Sequence, residues 1–143
     1  GSMGHCSSIA LGIALAKPHR QVVCIDGDGA MLMHLGSLTS IADMKPKNFR
    51  HILMNNKVHE SVGGQSTAAK NINLSKVINS LGASKMFFAE SPNELKQKIG
   101  EFLSNSELTF LEVKIQPGSR DNLGRPTKTP VENKVSFMKF IEN

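Results

Sequence analysis

The chain has 143 residues, 39% hydrophobic and 20% charged, with a formal net charge of +5 and neither Trp nor Tyr. That length supports one core of ordinary size and is too short for two typical domains. No stretch approaches the ~20 apolar residues that cross a bilayer, no leader pattern opens the chain and the basic residues are dispersed, so neither a membrane nor a nucleic-acid partner is expected.

Residues 5–16 read as a helix in which Ile9, Ile13 and Ala16 share a face, while Ala10, Gly12 and Ala14 would let a neighbouring backbone approach closely. Lys17-Pro18 ends it. Val22 to Ile25 is a continuous apolar run, predicted to be a strand buried on both faces. Cys6 and Cys24 are distant in sequence, and Cys24, inside that run, reads as a reduced core thiol; a cytoplasmic chain is expected. Leu35, Leu38 and Ile41/Ala42 give a second helix, closed before Pro46, and His51 to Met54 a second strand. The small and polar loop Val62 to Thr67 leads into a short helix with Leu74, Val77/Ile78 and Leu81 inward and Gly82 as its stop. Met86 to Phe88 is a third strand. Ser91-Pro92-Asn93-Glu94 forms a capping box that opens a helix burying Leu95, Ile99, Phe102 and Leu103. Leu111, Val113 and Ile115 alternate on a fourth strand. Residues 116–130 have no period and form a long loop. Val135, Met138 and Ile141 suggest a closing helix.

Strand and helix alternate throughout, which predicts a three-layer α/β/α fold around a mostly parallel sheet. Ligands of such sheets bind at the C-terminal strand ends. Two polar motifs fall there: Gly27-Asp28-Gly29 after the first strand and Asn55-Asn56 after the second. Gly-Asp-Gly offers free backbone N–H groups, close main-chain approach and one carboxylate. A carboxylate beside an anion site calls for a cation between them, and Mg²⁺ takes oxygen ligands while bridging protein to a diphosphate. Asn55-Asn56 adds neutral amide oxygens. No GxGxxG or GxxxxGK[ST] pattern competes, since Leu32 stands where the third glycine would be.

Gly-Asp-Gly, 25 residues, then Asn-Asn resembles the thiamine diphosphate motif of decarboxylases and their relatives. Gly1-Ser2-Met3-Gly4-His5 and Ser8 to Gly12 resemble the segment that precedes it in that superfamily. Within the superfamily, His59-Glu60-Ser61-Val62-Gly63-Gly64-Gln65 and Gly124-Arg125-Pro126-Thr127 look like the phosphonopyruvate decarboxylases, with the sulfopyruvate decarboxylases as nearest cousins. The resemblance implies that Asp28, Asn56 and the carbonyl of Val58 bind Mg²⁺, while Asn55 braces the turn. Backbone N–H groups of Gly29, Ala30 and His59 would hold the diphosphate. Met3 would sit under the bent cofactor and the Gly1 carbonyl would accept from its pyrimidine amino group; Gly4 and Gly27 complete the implied cofactor set.

His5 and His59 flank this site as candidate catalytic or binding groups, whereas His19, His34 and His51 read as surface or strand-edge residues. Arg120 and Arg125, in the long loop, are candidates for an anionic substrate head, because a guanidinium fork matches a phosphonate. Gly63-Gly64-Gln65 reads as either a lid or a turn. The glutamate that starts the superfamily's chemistry comes from a separate pyrimidine-binding domain, which 143 residues cannot also hold. The resemblance therefore implies a diphosphate-binding domain, a fragment or one subunit of a homo- or hetero-oligomer, inactive alone, whose complete form decarboxylates a small 2-oxo acid. The small-residue helix, residues 5–16, is expected to form part of the partner-facing surface. The contrasting reading is a non-catalytic binding or assembly module, against which the metal-type motif argues.

Overall fold

The structure, a computed structural model, describes residues 2–82 and 85–142. In chain order the elements are α1 (Cys6–Ala16), β1 (Val22–Gly27), α2 (Asp28–Met33), α3 (Ser37–Met44), β2 (Phe49–Asn55), β3 (Val58–His59), β4 (Gln65–Ser66), α4 (Leu74–Ser80), β5 (Lys85–Ala89), α5 (Pro92–Ser104), β6 (Thr109–Lys114) and α6 (Pro130–Glu142). Four strands form one parallel sheet in the order β1-β2-β6-β5, and β3 pairs antiparallel with β4. This is the α/β architecture that the alternation of strand and helix predicts.

Each face of the sheet carries its own core. Cys24, Phe49, Leu53 and Phe110 project towards α1, α3 and α4, meeting Ala10, Leu11, Ala14, Leu38, Ile41, Leu74 and Ile78. On the opposite face Phe87, Leu111 and Val113 pack on Phe102, Leu95, Ile99 and Leu103 of α5. Helix α5 starts at the expected cap: the Ser91 hydroxyl accepts from the Glu94 N–H, while the Glu94 carboxylate accepts from the Glu90 N–H, one residue before the usual partner. At the N-terminal end of the sheet the buried Arg50 donates to the carbonyls of Lys47, Phe49 and Glu107, tying β2 to the chain entering β6.

Several expectations need correction. The buried face of α1 is Ser7, Ala10, Leu11 and Ala14, with Ile9 and Leu15 exposed. Ala10 and Ala14 thus serve this chain's own core, whereas Gly12 is exposed. Strand β1 is the sheet edge and is not buried on both sides: no described helix covers its second face, and Val23 and Ile25 are 42% and 64% exposed. Strand β6 is central, and so Thr109 to Val113 are all buried without alternation. His51 is wholly buried between the Phe49 and Phe110 rings, 3.8 Å from Asp26, because β2 has neighbours on both sides. The closing helix α6 exists, but its apolar residues Val135, Phe137, Met138 and Phe140 face solvent. Its C-terminal end rests on Arg20, which donates to the Phe140 carbonyl and stacks on that ring.

Phe102 is fully buried where α5 meets the sheet. Phe102→Ala should lower unfolding stability by about 3–5 kcal/mol in urea denaturation. Phe137→Ala, on the exposed helix α6, should change it by less than about 0.5 kcal/mol.

Candidate functional site

The chain passes from β1 into α2 without a loop: Gly27 is extended, and Asp28 is the first helical residue. An acidic group at that position is favoured by the unsatisfied N–H groups of the first turn, among them those of Gly29 and Ala30. The Asp28 side chain is buried, at 1% residue exposure, and its Oδ2 accepts a hydrogen bond from the Thr67 hydroxyl. Gly29 has no room for a side chain, since a Cβ there would stand 2.5 Å from His59 Nδ1. Gly4, at φ +86°, is equally constrained: a Cβ would lie 2.6 Å from the Ala30 carbonyl. That close approach seats the preceding Met3 against the start of α2.

At the end of β2 the two asparagines diverge. Asn55 points into the protein and donates to Glu112 Oε1 at 2.7 Å, while Glu112 Oε2 accepts from Ser75. Asn56 points out, its Oδ1 accepting from the Val58 N–H at 3.1 Å and its Nδ2 donating to Glu60 Oε2 at 2.9 Å. Lys57, between the motif and Val58, adopts a left-handed conformation at φ +63°. Its carbonyl accepts from the Thr67 N–H at 2.9 Å, so the β3–β4 ribbon folds back and delivers Thr67 to Asp28.

The two strand ends and this ribbon enclose a cleft of about 230 Å³. Of the residues that sequence singled out, it brings together Met3, Gly27, Asp28, Gly29, Ala30, Asn56, Val58 and His59. Gly4 does not line the cleft; it lies against Ala30, Met33 and His34 of α2 and its end. Gly1 lies outside the described residues. His5 does not line the cleft; it is exposed and packs on His34, ring centroids 4.1 Å apart. Arg120 and Arg125 are exposed and do not line it either, because the long loop approaches only at its start, where the Gly118 N–H donates to Glu60. A larger cavity, about 590 Å³, is lined by Asn55, Ser75 and Glu112 among others, and includes neither Asp28 nor Asn56.

Three functional contributors escape a reading of motifs: Thr67, which holds Asp28; Glu60, which joins Asn56 to Gly118; and Glu112, which holds Asn55. Thr67 closes the small, polar loop from Val62, and Glu60 lies in the stretch 59–65 that carries the resemblance, though the motifs give neither a role. Glu112 has no local signal, since only the β2–β6 pairing brings it beside Asn55.

The donor set suits a hard divalent cation. Asp28, Asn56 and Val58 line the cleft together, and between them they carry a carboxylate, an amide oxygen and a backbone carbonyl, each an oxygen of the kind Mg²⁺ accepts. The Thr67 hydroxyl fixes the Asp28 carboxylate, and an amide oxygen such as that of Asn56 keeps a second lone pair for another partner.

Residues 1–113 match the model of the thiamine pyrophosphate enzymes' C-terminal TPP-binding domain. The chain belongs to this family. It is 38% identical over 141 residues to phosphonopyruvate decarboxylase of Streptomyces viridochromogenes, aligned over 99% of this chain and 35% of that protein. It is 36% identical over 145 residues to sulfopyruvate decarboxylase subunit beta of Methanocaldococcus jannaschii, over 99% of this chain and 74% of that subunit. The chain thus spans about a third of the phosphonopyruvate decarboxylases it matches. A solved structure of a protein assigned as a thiamin diphosphate-dependent enzyme, from Mycobacterium smegmatis, superposes with a TM-score of 0.69 at 24% identity, covering 82% of this chain and 23% of that one; it shows the shared fold. No helix among the described residues is long and apolar enough to cross a membrane.

Glu60 should hold the start of the long loop against the site. Glu60→Ala should speed limited tryptic cleavage after Arg120 and Lys128 by about threefold, the worth of an exposed contact of about 0.6 kcal/mol. Glu60→Gln, which keeps an oxygen to accept from Gly118, should change the rate less; mass spectrometry of the fragments reads both.

Proposed function

We propose that this chain is the diphosphate- and Mg²⁺-holding part of a thiamine diphosphate-dependent decarboxylase. Its proposed substrate is 3-phosphonopyruvate, giving phosphonoacetaldehyde and CO₂. The observation that carries the reading is the convergence of Asp28, Asn56 and the Val58 carbonyl on one cleft with the glycine-lined start of α2. Relatives named for this reaction support the substrate class. Those named for sulfopyruvate match at similar identity, and so a sulfonate head is the second reading.

When bound, thiamine diphosphate supplies an electron sink for the bond that breaks beside the keto group. The chain's own residues bind and orient. Asp28, Asn56 and Val58 would hold the metal, and the N–H groups of Gly29, Ala30 and His59 would donate to the diphosphate. Met3 offers an apolar surface at the mouth of the cleft. The His59 ring, packed on Gly29, would shield a bound diphosphate and is a candidate proton carrier, whereas His5 lies outside the cleft. A cleft of about 230 Å³ is below the ordinary size of a cofactor pocket. A second, pyrimidine-binding domain or subunit completes it in this reading and brings the missing glutamate; that several relatives are named beta subunits supports such an assembly.

Calorimetric titration with thiamine diphosphate should give binding that needs Mg²⁺ and is lost with EDTA. Asp28→Ala should weaken it at least tenfold, because it removes the cleft's one buried carboxylate; equal affinity in all three conditions would refute the metal-bridged site. Neither arginine lines the cleft in this structure, so a substrate role requires the long loop to fold over the bound substrate. On that reading, in the enzyme reconstituted with a pyrimidine-binding partner, Arg125→Ala should raise KM for 3-phosphonopyruvate by about ten- to a hundredfold, as expected for a charge-assisted contact of about 1.5–3 kcal/mol, with Arg120→Ala as the second variant. Pyruvate, which lacks the anionic head, should be affected far less. Equal losses on both substrates would make the arginines structural.

A further inference from the structure

The sequence leaves Cys6 and Cys24 as unrelated thiols, yet the fold places them together. Their sulfurs are 3.7 Å apart, and Cys6 Sγ is also 3.8 Å from the Ile25 carbonyl. The meeting follows from the small-residue face of α1, which lets the first turn of the helix settle on the middle of β1. Both thiols are free; Cys6 is half-buried and Cys24 buried. The proximity is independent of the cofactor reading.

We propose that Cys6 and Cys24 form a redox modification site, which a low-molecular-weight disulfide such as oxidised glutathione converts to an intrachain disulfide. Cys6, the accessible partner, attacks the glutathione disulfide, forming a Cys6–glutathione bond and releasing one reduced glutathione. Cys24 then attacks the Cys6 sulfur and expels the second. The two thiol protons end on the two released glutathiones, and the pair of electrons lost by the cysteines reduces the glutathione disulfide. Burial, with the Asp26 carboxylate close by, raises the Cys6 thiol pKa, and burial likewise pushes Cys24 up. The thiolate is the attacking species, so the reaction is slow near neutrality and quickens about tenfold per pH unit. Closing the bond draws the sulfurs to about 2.05 Å. The movement falls on the first turn of α1, directly after Gly4.

The test incubates the folded full chain with oxidised glutathione at pH 7 and pH 8, traps remaining thiols with an alkylating agent and measures intact mass. The expected product is a monomer about 2 Da lighter with no alkylatable thiol, formed about tenfold faster at the higher pH. Cys24→Ala should stop at a stable glutathione adduct on Cys6, and Cys6→Ser should leave Cys24 unmodified. A chain unfolded in urea, in which both thiols are exposed, controls for reagent activity. The proposal is overturned by a persistent Cys6–glutathione adduct in the unsubstituted chain, by a disulfide between two chains, or by two free thiols in the folded chain when the unfolded control has reacted.

Discussion

A carboxylate taken out of water must find compensating donors, or it is protonated or re-exposed. Asp28 is such a group, and the cleft is organised around it. The first turn of α2 supplies an environment that favours negative charge, and the Thr67 hydroxyl supplies a direct donor. Thr67 is 39 residues further along and reaches Asp28 only because the chain reverses after the asparagines. That reversal requires the left-handed Lys57, the two-residue ribbon of β3 and β4, and a glycine at position 29 to admit the His59 ring. Together these features bring a donor to one buried oxygen.

Motif residues and periodic elements were legible in the sequence because their signals are local. Gly-Asp-Gly and Asn-Asn announce a strand-end site through residue type alone, and the capped helix α5 through four consecutive residues. What escaped depends on pairing at a distance. Whether Val23 and Ile25 are covered depends on β1 being an edge strand. Whether Leu111 alternates with polar neighbours depends on β6 lying between β2 and β5. His51 looks like a strand-edge residue until the sheet order puts β2 inside, between two phenylalanine rings. Glu112 reads as an ordinary strand glutamate, and only the sheet register places it under Asn55.

The two faces of the sheet are finished to different degrees. One is sealed by α1, α3 and α4. The other is sealed by α5 over β5 and β6, leaving the second face of β1 bare, while α6 carries a further row of exposed apolar side chains. Apolar surface of this extent on a folded chain calls for cover by another surface. On α1, Ala10 and Ala14 pack inward, while Ile9, Gly12 and Leu15 are exposed to its surroundings.

Arg50 sits at the end of the sheet opposite the cleft, with its guanidinium shared among three carbonyls from both sides of the β2–β6 seam. In a parallel pair a slip of one residue turns every side chain to the other face. Five residues further along the same strand, about 17 Å away, the matching of Asn55 to Glu112 depends on that seam not slipping. The guanidinium therefore acts as a datum: it sets the zero from which the position of the Asn-Asn turn is measured. Drift in the fastening at one end of the sheet would be read out as misalignment at the other, far from any residue that touches a ligand.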